Sequence, residues 1–243
     1  MTLVISTLFI ALDGVVEPDE TWHFPYFDDR VGAAVAEDYA GTDVLVLGRV
    51  TYDSFAGAWP ERETAGEQDA AFAAELGDLR KIVATRGSQD LGWRNVAASS
   101  DVVATVRELR QADGIDKILV AGSVSVVRQL LAADQLDELR LLLHPATAGG
   151  GRLRLFGDDA ASRAFALVAS EALPTGVVRL VYRPVAAPPT KTSEDVVAQV
   201  PDAQVPDARG PRTQGSDAQV PDAQVPDARG PRTQGSDGQG SDG

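Results

Sequence analysis

Val44-Leu45-Val46-Leu47-Gly48-Arg49-Val50-Thr51-Tyr52-Asp53-Ser54-Phe55 decides how this chain is read. A short run with no polar residue, Val44 to Leu47, is the mark of a strand covered on both faces. Gly48 then lets another group approach the backbone, and the helix that follows presents free N–H groups to an anion. Arg49 adds a permanent, forked positive charge suited to phosphate. Two more junctions share this plan: Lys81-Ile82-Val83-Ala84 runs into Thr85-Arg86-Gly87, and Lys117-Ile118-Leu119-Val120-Ala121 runs into Gly122-Ser123-Val124. Open α/β sheets bind ligands beyond the carboxyl ends of their strands. One glycine at a strand end is more often a turn than a ligand site. Three such junctions, two of them carrying arginine, imply a ligand with more than one phosphate. No G-x-G-x-x-G occurs, so an ordinary dinucleotide fingerprint is not the explanation.

Outward from these junctions the elements alternate. Thr2 to Leu12 reads as a strand with Val4, Ser6, Leu8 and Ile10 on one face. Phe27, Val31, Val35 and Tyr39 recur at helical spacing. Val102, Val103, Val106 and Leu109 predict a helix capped by Ser100 or Asp101 and closed by Gly114, and Val124, Val127 and Leu131 predict another beginning at Ser123. Leu139 to Leu143 follows, then a glycine run, then Phe165 to Leu173 and Val177 to Tyr182 as a hairpin around Pro174-Thr175-Gly176. Strand–helix alternation ending in antiparallel strands predicts an α/β sandwich with a mixed sheet.

The chain has 243 residues, 36 acidic and 22 basic, for a formal charge of −14. That balance argues against nucleic acid or anionic membrane as a partner. Cysteine is absent and histidine occurs twice, His23 and His144, which removes thiolate chemistry and leaves no metal site to propose. No apolar run is long enough to cross a bilayer and no basic leader opens the chain, so a cytoplasmic protein is expected. Composition changes at Pro184. From Val185 to Gly243 the only apolar types are Ala and Val, and Pro201–Val220 repeats as Pro221–Gly240 at 18 of 20 positions. Such a segment has nothing with which to offset its ordering entropy. The organisation expected is a domain over residues 1–184 and a disordered low-complexity tail over 185–243.

Several stretches together resemble a known family. Ser6-Thr7-Leu8-Phe9-Ile10-Ala11-Leu12-Asp13-Gly14 resembles the opening "SLDG" strand of the reductase domain of riboflavin biosynthesis. Gly48-Arg49-Val50-Thr51-Tyr52-Asp53-Ser54 is similar to the G-R-x-T-[WY]-[ED]-S segment shared with dihydrofolate reductases. Leu136-Asp137-Glu138-Leu139, His144-Pro145 and Gly149-Gly150-Gly151-Arg152-Leu153-Arg154-Leu155-Phe156 resemble the family's "VDEL…HP…GGG..LF" ending. On these grounds residues 2 to 184 are identified as a member of the dihydrofolate reductase-like superfamily, nearest the stand-alone bacterial RibD C-terminal domain proteins. The deaminase signature H-x-E…P-C-x-x-C is absent.

The resemblance implies a three-layer sandwich, a homodimer, and an NADPH-dependent reductase acting on a small heterocyclic, imine or carbonyl substrate. The ribosylaminouracil reductase of riboflavin biosynthesis is the closest named activity. It places Gly48, Arg49 and Thr51 on the pyrophosphate and 2′-phosphate, Thr85 and Arg86 at the adenosine end, and Gly122, Ser123 and Val124 under the pyrophosphate. Ser123 also stands as a helix cap. Ala11, Leu12, Asp13 and Gly14 would lie near the nicotinamide. The family's paired glycines at the third junction are Ala121-Gly122 here, a departure that bears on the peptide geometry there. Asp13 is the candidate for orienting substrate or relaying a proton; an Asp-Gly turn is its plainer reading. On the substrate side stand Trp22, His23, Phe27 and Asp28, with a solvated helix start as the alternative for Asp28. Folate reduction is disfavoured, because Phe27 occupies the family's acidic position. The alternative from another class is a non-catalytic nucleotide-binding or dimerisation module of the same fold.

Overall fold

The computed structural model describes residues 1–66, 69–87, 91–150, 152–157 and 160–187. The tandem repeat, Gly151 and Asp158-Asp159 lie outside the described residues. Eight strands form one sheet: β1 (Leu3–Ala11), β2 (Val44–Gly48), β3 (Arg80–Ala84), β4 (Val96–Ser99), β5 (Lys117–Val120), β6 (Glu138–His144), β7 (Ala164–Ala172) and β8 (Val178–Val185). Their spatial order is β4-β3-β2-β5-β1-β6-β8-β7. The first six pair in parallel, whereas β8 runs antiparallel to both β6 and β7. The mixed sheet and the terminal hairpin are as the sequence predicts. β8 includes Pro184, opposite Phe165, and ends at Val185.

Among the described residues five α-helices flank the sheet: α1 (Asp29–Tyr39), α2 (Arg49–Ala65), α3 (Ala70–Asp78), α4 (Val102–Leu109) and α5 (Val124–Ala132). Side-chain alternation along the strands sorts the core into layers. Ile5, Leu45, Leu47, Val83 and Leu119 pack with Tyr52 of α2 and Leu76 of α3. On that same face Val31 and Ala34 of α1 close over Leu142. The other face sets Val4, Val46, Ile82, Ile118 and Val120 against Val106 of α4 and Val127 and Leu130 of α5. Burying each such side chain contributes roughly 1.5–3 kcal/mol. No helix among the described residues is long and apolar enough to cross a membrane.

Local details correct the sequence-based picture. α1 begins at Asp29, so Phe27 precedes the helix instead of lying on its face. Asp101, not Ser100, caps α4, its Oδ1 accepting from Ala104 N–H at 2.9 Å. That helix stops at Leu109, and Gly114 turns at φ +75 five residues later. α2 continues through Pro60 into the turn where Thr64 Oγ1 donates to the carbonyls of Pro60 and Glu61. Beneath α1 a fully buried carboxylate, Asp38, accepts from Arg140 and Arg179 on β6 and β8 and from the hydroxyl of Thr7 on β1. Buried charges persist only when partnered in this way.

Candidate functional site

The carboxyl ends of β2, β3 and β5 open into one cleft of about 440 Å³, lined by Gly48, Arg49, Thr85, Arg86, Ser99 and Ser123 among others. The three junctions are therefore neighbours in space. Gly48 N–H donates to Gly122 O at 2.8 Å. A Cβ on Gly48 would overlap Ser123 Oγ and lie 2.7 Å from Ser123 Cβ, so only glycine permits this approach. Gly122 has φ +113, and a Cβ there would stand 3.2 Å from Thr51 Oγ1. The Gly122–Ser123 peptide is cis.

Two of the helices that begin at this cleft, α2 and α5, start without side-chain caps. Neither Gly48 before α2 nor Ser123 before α5 offers a side-chain acceptor to the first turn. The expected serine cap is absent because Ser123 Oγ pairs with Ser125 Oγ at 2.8 Å. Two helix N-termini with unsatisfied N–H groups thus face the same space, each carrying the partial positive charge of its dipole. Val124 itself is in the core, so its side chain is out of reach of any ligand there. Thr85 is tied to the sheet edge, its N–H donating to Ser99 O at 2.9 Å and its Oγ1 accepting from Gly87 N–H at 3.1 Å. Arg86 is exposed and pairs with no carboxylate among the described residues. Arg49 differs: its Nε–H donates to both oxygens of Asp53 at 2.9 Å. Hydrogen bonding to Asp53 keeps the guanidinium firmly charged, but the carboxylate also cancels much of the field that the sequence reading assigned to Arg49.

The end of β1 is organised around Asp13. Ala11 is buried against Val15 and Trp22, while Leu12 is 61% exposed and its N–H donates to Ala146 O. The turn closes through Gly14 at φ +81, whose N–H donates to Ala11 O. Asp13 Oδ1 and Oδ2 accept from the N–H groups of Ala148 and Gly149 at 3.2 and 2.9 Å. Burial pushes this carboxyl up, but the Gly149 and Ala148 amides outweigh it and hold the group below its ordinary value. Asp13 is thereby a clamp on the 146–149 loop and, held ionised, a poor proton donor.

The substrate-side residues are also rearranged. Trp22 is 1% exposed, and its Nε1–H donates to Glu17 O, so it belongs to the core and offers no face to a ligand. Asp28 caps α1, its Oδ1 accepting from Val31 N–H at 2.9 Å. Phe27 is exposed, with its ring edge-on to Phe9. His23 is only 4% exposed, too enclosed to offer a broad stacking face, and its Nδ1 lies 3.1 Å from Nε2 of the fully buried His144. His144 Nδ1 in turn lies 2.9 Å from Leu142 O. Burial, helped by the neighbouring imidazole, lowers His23 to about 4, and burial lowers His144 as well, so both rings are neutral at pH 7. Nothing in the local sequence around either histidine signals this pairing, since 121 residues separate them. No group of three metal-ligating side chains occurs among the described residues.

Comparison with known proteins agrees with this architecture. The chain is 24% identical over 183 residues to the uncharacterized protein YyaP of Bacillus subtilis, covering 74% of this chain and 93% of that one. A pyrimidine reductase-like protein from Corynebacterium diphtheriae shares the fold with a TM-score of 0.56 at 18% identity, over 76% of this chain and 93% of the other. A diaminohydroxyphosphoribosylaminopyrimidine deaminase/5-amino-6-(5-phosphoribosylamino)uracil reductase from Thermotoga maritima aligns with a TM-score of 0.53 at 18% identity, over 76% of this chain and 57% of the other. The family model for the RibD C-terminal domain matches residues 2–179, and with that span the chain belongs to the RibD C-terminal domain family.

Proposed function

We propose that this protein is an NADPH-dependent reductase acting on a small, flat heterocycle of the aminouracil kind. The observation that carries the reading is the convergence of two uncapped helix N-termini, those of α2 and α5, on a single cleft rimmed by Arg86 and Arg49. Helix N-termini bind phosphate through free N–H groups, and the cleft has the size of a ligand pocket. The residues fit the group. Gly48 and Gly122 leave room where a side chain would fill the cradle, and the amides at Ser123 and Arg49 suit the two phosphates of a dinucleotide. Arg86, without a carboxylate partner among the described residues, suits a terminal phosphate. When bound, NADPH supplies the hydride, while the chain's own residues orient it and exclude water. The names of the Thermotoga and Corynebacterium neighbours support a pyrimidine as the oxidant.

Thermal unfolding with and without NADPH tests the reading. At a ligand concentration of ~100 times Kd, site-specific binding adds about 2.7 kcal/mol. Because Asp53 occupies Arg49, selection of NADPH over NADH rests on Arg86. Arg86→Ala therefore abolishes the preference, whereas Arg49→Ala only weakens it. Absence of any NADPH-induced shift refutes the proposal and leaves a non-catalytic module.

A further inference from the structure

Two imidazoles in hydrogen-bond contact constrain each other's protons completely. Leu142 O can only accept, so His144 Nδ1 must be the donor in the 2.9 Å contact between them. A neutral His144 then carries a lone pair at Nε2. The 3.1 Å contact with His23 Nδ1 therefore requires a proton on His23 Nδ1. That leaves His23 Nε2 as a bare acceptor, and no donor among the described residues reaches it. His23 Nε2 is not among the buried polar atoms that lack a partner, so although the side chain as a whole is only 4% exposed this nitrogen is open to a donor from outside the chain.

Its surroundings say what kind of donor. The Phe24 and Phe27 rings lie 5.0 and 5.5 Å from that of His23 and are 58% and 45% exposed, an unusual pair of aromatics left open to solvent. The place is the ligand end of the sheet. β1 runs on from Ser6, opposite Val120 at the end of β5, to Ala11 opposite His144. We propose that His23, oriented by His144, is a substrate-binding residue whose Nε2 accepts a hydrogen bond from the N–H edge of a flat heterocycle placed beside Phe24 and Phe27. His144 is the positioning residue, acting only through His23. The depressed titration of His23 supports this, because it keeps Nε2 unprotonated across the neutral range. The inference deepens the reductase reading by naming the edge through which its substrate is held.

The chain contains two histidines, so every imidazole signal in a nitrogen-15 spectrum of the full-length protein belongs to this pair. Both rings should appear neutral at pH 7 and protonated at Nδ1. Uracil, which carries N–H donors, should move the His23 Nε2 resonance, while 1,3-dimethyluracil, which has none, should not. In His144→Phe, His23 should shift toward the Nε2–H tautomer and uracil affinity should fall about tenfold. Three results overturn the proposal: a wild-type His23 protonated at Nε2, an Nε2 signal unmoved by uracil at its solubility limit, or equal effects of the two pyrimidines. The wild-type spectrum decides even if the variant does not fold. NADPH binding is read separately by thermal shift, so failure of the cofactor and failure of this contact are distinguishable.

Discussion

Replacing Gly48 by alanine adds one methyl group where β2 meets the 122–123 junction. The backbone there, at φ −73 and ψ 159, is one that alanine adopts freely, so the cost is steric alone. The new Cβ would overlap Ser123 Oγ and lie 2.7 Å from Ser123 Cβ and 2.9 Å from Ser123 N. A serine hydroxyl can rotate away; the backbone nitrogen cannot. Reaching the 3.4 Å at which ordinary contact begins moves that nitrogen by half an ångström and strains the 2.8 Å bond from Gly48 N–H to Gly122 O. Overpacking of this kind costs about 1–3 kcal/mol, reduced by about 0.4–1 kcal/mol because alanine has fewer unfolded states. A net loss of about 1.5 kcal/mol lowers Tm by roughly 3–6 °C in a domain of this size. Urea and thermal unfolding, each with and without NADPH, measure both the loss and the disappearance of the ligand-induced shift. Ser123→Gly in the same chain removes the clashing side-chain atoms but not the nitrogen, so it should restore part of the stability, with a coupling of at least about 0.5 kcal/mol. If Gly48→Ala is as stable as the wild type and keeps its NADPH shift, the packed cradle is not what shapes the cleft.

Other perturbations follow from the same geometry. Asp53→Ala frees Arg49 from the carboxylate it shares at 2.9 Å and should tighten NADPH binding several-fold with little change for NADH, measured by calorimetric titration. Asp38→Ala leaves Arg140 and Arg179 facing a hole beneath α1, and urea denaturation should show a loss of about 3–5 kcal/mol. The His23 imidazole, lowered from 6.5 to about 4, resists protonation only in the folded state. Its contribution is fully present above pH 6.5 and is lost as pH falls toward 4, about 3 kcal/mol in all, and His23→Phe should flatten that part of the stability profile.

The cleft was legible because its parts are local. Strands β2, β3 and β5 are covered on both faces and so read as unbroken apolar runs, and each junction follows its strand directly. Strand β4 has no such signature: it is a four-residue edge strand whose central Ala97 and Ala98 face solvent. Helix α2 was expected from its start after Gly48, but its length was hidden by Gly57 and Pro60, which ordinarily end a helix, and α3 was not read from the sequence. The aromatic run Trp22 to Phe27 shows why side-chain roles are harder to read than elements. Whether each ring meets a ligand or the core depends on partners far along the chain, above all His144, 121 residues beyond His23. Asp38 looks like part of a wet helix face until Arg140 and Arg179 arrive from β6 and β8. Asp13 does sit in an Asp-Gly turn, but its bonds to Ala148 and Gly149 are invisible at short range.

The position of β1 bears on how the chain is made. Among the described strands it is made first, yet its neighbours are β5 and β6, with Leu3 opposite Lys117 and Ile5 opposite Glu138. Nascent β1 therefore waits, apolar and without its hydrogen-bonding partners, until most of the domain has been translated. Long-range parallel pairing of this kind is slow to form and exposed to aggregation meanwhile. Expression at lower temperature or with added chaperone should raise the soluble yield, because the delay lies in synthesis and not in the finished fold.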